Sequence, residues 1–83
     1  MRLRDEVSLV DTDYGKILLD GRTGAYWELN PTGSYVLSAL LGGADPDGIA
    51  AGLSAEFEVD EERAKSDVAG LVRALRDARL VSR

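Results

Sequence analysis

Ala25-Tyr26-Trp27-Glu28-Leu29-Asn30-Pro31 is the stretch where the chain changes its periodicity. Alternation from Ala25 to Leu29 puts Tyr26 and Glu28 on one face and Ala25, Trp27 and Leu29 on the other, the pattern of a half-buried strand. Asn30 then supplies an N-cap side chain, and Pro31 has the fixed φ that suits a first helical residue. A strand that runs straight into a helix divides the chain, with strands before it and helices after it.

Toward the N-terminus two more strands are legible. Val7, Leu9 and Asp11 alternate with Ser8 and Val10, and Asp13-Tyr14-Gly15 supplies turn chemistry. Lys16-Ile17-Leu18-Leu19-Asp20 is a short apolar run, and Asp20-Gly21-Arg22-Thr23-Gly24 is a second turn. Strands joined by loops this short form an antiparallel meander.

Toward the C-terminus the spacing is helical. Val36, Leu37, Leu40 and Leu41 recur on one face until Gly42-Gly43 ends the first helix. Asp45-Pro46 repeats the start signal, and Ile49, Leu53 and Phe57 mark a second helix that breaks near Val59. Asp60 is placed to cap a third helix, with Glu61 and Glu62 matching its dipole. Its apolar stripe is Ala64, Val68, Leu71, Val72, Leu75 and Ala78, with Arg76 and Arg79 near the C-terminal end. The expected fold class is α+β: a three-stranded antiparallel sheet followed by three helices that cover it, because such a sheet cannot bury its own face. With no linker or internal repeat, residues 1–83 are expected to form one domain.

Composition narrows the function. Ten basic against fifteen acidic residues give a net charge of -5, which disfavours a nucleic-acid partner. There is no cysteine and no histidine, so thiol nucleophiles, thiolate metal sites and the commonest general base are excluded. No catalytic residue, metal site or cofactor is therefore expected. Without a membrane-length apolar run or a signal-peptide pattern, no membrane partner is expected and a cytoplasmic location is the default.

The remaining candidates have ordinary readings. Asp45, Asp47, Asp60, Glu61 and Glu62 lie at helix starts, where negative side chains are stabilising, and their spacing is not that of a calcium loop. Ser34 and Ser38 have no base beside them. Gly21 to Gly24 joins two strands, so it cannot place a phosphate on a helix N-terminus. Arg63, Lys65, Arg73, Arg76 and Arg79 would suit the recognition helix of a winged-helix DNA-binding regulator, the alternative reading. Asp60, Glu61, Glu62, Asp67 and Asp77 offset that charge, leaving a solvated face with spaced ion pairs. The side chains of Trp27 and Leu29 read as core. The backbone of the same strand is a separate matter: if the strand is an edge, its free N–H and C=O groups can accept another chain.

The run from Leu18 to Gly33, and above all Tyr26-Trp27-Glu28-Leu29-Asn30-Pro31-Thr32-Gly33, resembles the PqqD family. It is most similar to the stand-alone leader-recognition proteins of lasso-peptide clusters. Asp45-Pro46 and the segment from Arg63 to Leu75 fit the same pattern, so the likeness covers residues 5 to 81.

The resemblance implies a RiPP recognition element, a winged helix-turn-helix-like domain that binds peptide and performs no chemistry. The implied partners are the leader region of a precursor peptide and a separate leader peptidase of the cysteine-protease type. The leader would add as a strand beside the third strand, along Ala25, Tyr26, Trp27, Glu28 and Leu29. Its apolar side chains would dock between that strand and the third helix, where Val68, Leu71 and Leu75 are expected to serve both core and groove wall. Asp67 flanks the stripe on one side, Lys65 and Arg76 on the other. Asp67 is chosen for the groove because its short side chain leaves space and accepts peptide donors.

Overall fold

The computed structural model describes residues 1–82. In chain order the elements are β1 (Arg2–Leu3), β2 (Val7–Asp11), β3 (Lys16–Asp20), β4 (Tyr26–Leu29), α1 (Pro31–Leu41), α2 (Pro46–Phe57), α3 (Glu61–Asp77) and β5 (Val81–Ser82). The sheet β2-β3-β4 is antiparallel throughout, and the three helices follow it as expected. The third strand of the sequence reading is β4, and it starts one residue later, at Tyr26. Ala25 still takes part through its carbonyl, which accepts the Asp20 N–H at 2.9 Å.

β1 and β5 were not expected. They pair antiparallel, Arg2 opposite Ser82 and Leu3 opposite Val81, and the Arg4 N–H donates to the Leu80 carbonyl at 3.0 Å. Two residues carry no readable periodicity, so only the tertiary pairing reveals them.

The register aligns the inward residues of the meander. Leu18 lies opposite both Leu9 and Trp27, and Asp20 opposite Val7. Leu18 is completely buried, in one core cluster with Leu37, Leu53, Val68 and Leu75 of the helices. Truncating such a leucine to alanine costs about 2–5 kcal/mol. The other face of the sheet is uncovered and exposes Val10, Leu19 and Tyr26.

Local chemistry sets the helix ends. Asn30 accepts the Gly33 N–H at 2.8 Å and the Thr32 hydroxyl at 2.9 Å, with Pro31 in the first turn. Asp45 caps α2 by accepting the Asp47 N–H at 3.1 Å. Asp60 occupies the N-cap position of α3 but makes no capping hydrogen bond, so its expected role reduces to charge near the helix dipole. Gly43, at φ 91°, is the left-handed residue that ends α1, and the Ala44 N–H closes the motif on the Ala39 carbonyl. α3 ends the same way with Arg79 at φ 58°, and the Leu80 N–H reaches the Leu75 carbonyl at 3.0 Å. Between α2 and α3 the turn is short: Glu58 is left-handed and the Ser54 hydroxyl donates to the Val59 carbonyl at 2.6 Å. α2, this turn and α3 form a helix-turn-helix that follows the meander in the chain.

Two close approaches tie the hairpin turns to the rest of the fold. At Gly15 a Cβ would lie 2.1 Å from the Leu29 carbonyl oxygen, so only glycine lets the β2–β3 turn pass the end of β4. At the other hairpin, the buried carboxylate of Asp20 accepts from the Arg22 guanidinium at 3.0 and 3.1 Å and from the Arg22 backbone N–H at 2.9 Å. Arg22 also donates to the Arg79 carbonyl at 3.2 Å, joining the turn to the end of α3.

The Arg22 side-chain hydrogen bonds, helped by its backbone N–H, hold Asp20 below its ordinary carboxylate value of 3.8 against the opposing effect of burial. A depressed folded-state value means that the ionised carboxylate stabilises the fold above pH 3.8, and that this contribution is lost as pH falls below it. Asp20→Asn is expected to lower the thermal midpoint at pH 7. The gap to wild type should narrow below about pH 3.8 in a series of melts. A gap independent of pH would show that the charge of Asp20 contributes nothing.

Candidate functional site

The hydrogen-bond ladder decides what β4 offers. Residues along β3 alternate between the two neighbouring strands. The Gly21 N–H bonds the Glu6 carbonyl at 2.8 Å, whereas the Asp20 N–H bonds the Ala25 carbonyl at 2.9 Å. Counting back, Ile17 and Leu19 face β2, and Lys16, Leu18 and Asp20 face β4. Their β4 partners are Leu29, Trp27 and Ala25, so the backbone groups of Tyr26 and Glu28 point away from β3. No strand of the described residues pairs with that side. β4 is an edge strand, and its free donors and acceptors belong to Tyr26 and Glu28.

That edge borders a groove of about 630 Å³. Glu28 and Leu29 form one wall, and Arg63, Asp67, Gly70 and Leu71 of α3 form the facing wall. Val36 of α1 and Leu53 of α2 line it deeper in, both buried. The Asn30 cap and Gly33 close one end. An extended edge beside an apolar-floored cleft can receive a strand whose alternate side chains point into the cleft.

The expected site residues separate into distinct places. Tyr26 is 62 % exposed and presents its backbone at the edge. Glu28 and Leu29 reach the groove, while Trp27 packs half-buried against the core. Ala25 precedes the strand, and its carbonyl is committed to Asp20. On α3, Asp67 and Leu71 line the groove. Val68 and Leu75 do not: neither lines the groove, both pack in the core, and Val68 borders a cleft on the other flank of α3. The dual core-and-wall role expected of them thus reduces to the core. Lys65 and Arg76 lie on the opposite flank, in a separate cleft with Val72 and Pro46.

Asn30, Thr32, Gly33, Val36, Leu53, Arg63, Ser66 and Gly70 were missed as groove residues. The caps and core positions among them were legible, but their convergence on one cleft was not. The one signal left unread was Gly70, a glycine in the interior of a long helix.

The charge on the groove is mixed. Arg63 and Asp67 approach to 4.0 Å as an i,i+4 pair, with side chains 76 % and 55 % exposed, so the pair adds little and both groups remain open to a guest. Among the described residues no cluster of three or more acidic, cysteine or histidine side chains could hold a metal. Among the described residues no helix is long and apolar enough to cross a membrane.

Comparison with known proteins fits this geometry. The family model for PqqD, the coenzyme PQQ synthesis protein D, matches residues 15–81. The chain belongs to the PqqD family. The resemblance carried by the Leu18–Gly33 run, to a PqqD-like RiPP recognition element, therefore holds over most of the sequence. Two solved structures are similar to it. One is described as lasso peptide synthetase B1 complexed with the leader peptide, at 43 % identity and a TM-score of 0.89, covering 99 % of this chain and 96 % of that one. The other is described as TbiB1 in complex with the TbiA(beta) leader peptide, at 32 % identity and a TM-score of 0.83, covering 96 % and 93 %. No curated protein matches the chain.

The edge assignment has a direct check in amide hydrogen exchange of the free protein. The Tyr26 and Glu28 amides are expected to exchange orders of magnitude faster than those of Trp27 and Leu29. Equal protection across the four would contradict the one-sided ladder.

Proposed function

We propose that residues 1–83 act as a single non-catalytic domain that binds the leader segment of a ribosomally made precursor peptide. The leader adds as a further strand on the free edge of β4, with alternate apolar side chains in the cleft against α3. The domain then delivers the bound precursor, in the cytoplasm, to a separate leader peptidase of the cysteine-protease type and to other modifying enzymes. The observation that carries this reading is the unpaired edge at Tyr26 and Glu28 bordering a cleft lined by Leu29, Val36, Leu53 and Leu71. The leader complexes of the two similar structures support it.

Each part of the site has a physical task. Backbone groups of Tyr26 and Glu28 bind any extended peptide and supply affinity with little sequence preference. Leu29 and Leu71 select apolar side chains, and Asp67 accepts donors from the peptide. The β2 edge is the competing strand-addition site, with Leu9 and Asp11 turned outward. It carries a charged residue, Asp11, ion-paired with Lys16, the kind of feature that discourages edge pairing.

The helix-turn-helix arrangement favours a second reading, a DNA-binding winged helix. Its α3 would enter the major groove with Asp60, Glu61 and Glu62 at its leading end, where phosphates would repel it.

Titration separates the two. A labelled leader, from a short precursor identified in the neighbourhood of this gene, is expected to bind, and duplex DNA at low salt is not. Tyr26→Pro deletes an outward donor that no ladder bond uses, so the fold should survive by circular dichroism. Leader affinity should fall by roughly 1 kcal/mol or more, about fivefold. Asp67→Ala tests the facing wall with the same readout. If both variants fold and bind like wild type, the β4–α3 cleft is the wrong site.

A further inference from the structure

Four glycines lie inside helices: Gly33 in α1, Gly48 and Gly52 in α2, and Gly70 in α3. Three have a neighbour that a side chain would meet. A Cβ at Gly52 would stand 2.4 Å from the Tyr35 hydroxyl, at Gly33 3.2 Å from Asn30 Oδ1, and at Gly48 3.5 Å from the Asp45 carboxylate. At Gly70 a Cβ would meet nothing within 4 Å.

Backbone conformation does not call for glycine there either. Gly70 is not among the glycines with positive φ. It sits in the middle of α3, where glycine is the least favourable residue other than proline. Neither packing nor conformation within the domain accounts for it.

What Gly70 does border is the groove. It lies on the α3 wall beside Ser66, Asp67 and Leu71, facing Glu28 and Leu29 of β4. Without a Cβ, the wall at this point is bare helix backbone, and a guest can approach closer here than over any other residue of the wall. The same groove is also lined by the apolar side chains of Leu29, Leu71, Val36 and Leu53. They would complete a pocket for a branched aliphatic or aromatic side chain.

We propose that Gly70 is a specificity-determining position, the seat on α3 for one bulky apolar side chain of the bound leader, and that the residue size at 70 sets which leaders are accepted. This rests on the reading of the β4–α3 groove as the leader site. On this reading the glycine is kept, despite its cost to the helix, because the open wall serves the guest.

The test uses the same labelled leader with Gly70→Ala and Gly70→Leu. Ala69→Leu serves as control, since Ala69 is exposed on the other flank of α3 in the cleft with Lys65 and Arg76. Gly70→Leu should weaken leader binding by about tenfold or more, as overpacking of a filled site does. Gly70→Ala should melt at a higher temperature than wild type yet bind about threefold more weakly, so it carries the test alone if the leucine variant does not fold. Ala69→Leu should bind like wild type. Leader peptides with each bulky apolar residue singly replaced by alanine complete the cycle: for one of them the difference between wild type and Gly70→Leu should close.

Folded Gly70 variants that bind the full leader like wild type would overturn the proposal while leaving the groove in place. A wild-type protein that does not bind the leader would remove the groove reading, and the role of Gly70 with it.

Discussion

Leu18 stands opposite Trp27 in the β3–β4 ladder, and the parity of that pair governs both faces and both edges of the sheet. Because side chains alternate along a strand, placing Leu18 and Trp27 inward also places Tyr26 and Glu28 outward. Because backbone bonding alternates too, the residues whose side chains face the core spend their backbone groups on β3. The residues left for the free edge are those whose side chains the core does not need. A one-residue slip would exchange these roles, burying Tyr26 and Glu28 and turning Trp27 to solvent. The completely buried Leu18 opposes that slip, and so does Gly15, where the β2–β3 turn passes the Leu29 carbonyl too closely for any side chain.

α3 divides its circumference in a similar way. Ala64, Val68 and Leu75 close the core, each no more than 2 % exposed. Farther round the helix, on the groove side, Asp67, Arg63 and Gly70 contribute little to folding: a weak exposed ion pair and a residue with no packing partner. The wall of the cleft is therefore rigid from behind and undemanding in front. Such a surface can change its preference without unfolding, because its front residues are not core residues. The turn at Asp20 and Arg22 reinforces the frame from the far end by binding the β3–β4 hairpin to the carbonyl at the end of α3.

Much of the architecture was legible because it rests on local rules. Asn30-Pro31 and Asp45-Pro46 announced their helices, and alternation at Tyr26 to Leu29 announced β4. The tiny β1–β5 pair escaped, since a two-residue strand has no period. Asp60 was read as a cap from its place in the chain, but capping also depends on side-chain direction, and no capping bond forms. The site was legible in outline only. Asp67 could be placed on one flank of a stripe, but which flank meets β4 is a matter of helix rotation set by tertiary packing. Val68 and Leu75 looked available to the groove because a stripe does not reveal its own centre; they are that centre and are consumed by the core. Val36 and Leu53 read only as positions on apolar helix faces, with no sign that they floor a cleft. The parity of the ladder, which identifies Tyr26 and Glu28, is not written in any single strand; it appears only when two strands are in register.

The central claim is that a leader peptide extends the sheet at β4. Isotope-edited nuclear Overhauser spectra of labelled protein with unlabelled leader test it directly, because contacts between paired backbones are short and specific. The account predicts cross-strand contacts from the Tyr26 and Glu28 amides to leader backbone protons, with side-chain contacts to Leu29 and Leu71. Contacts concentrated at Leu9 and Asp11 on the β2 edge, or at Lys65 and Arg76 on the far flank of α3, would contradict it.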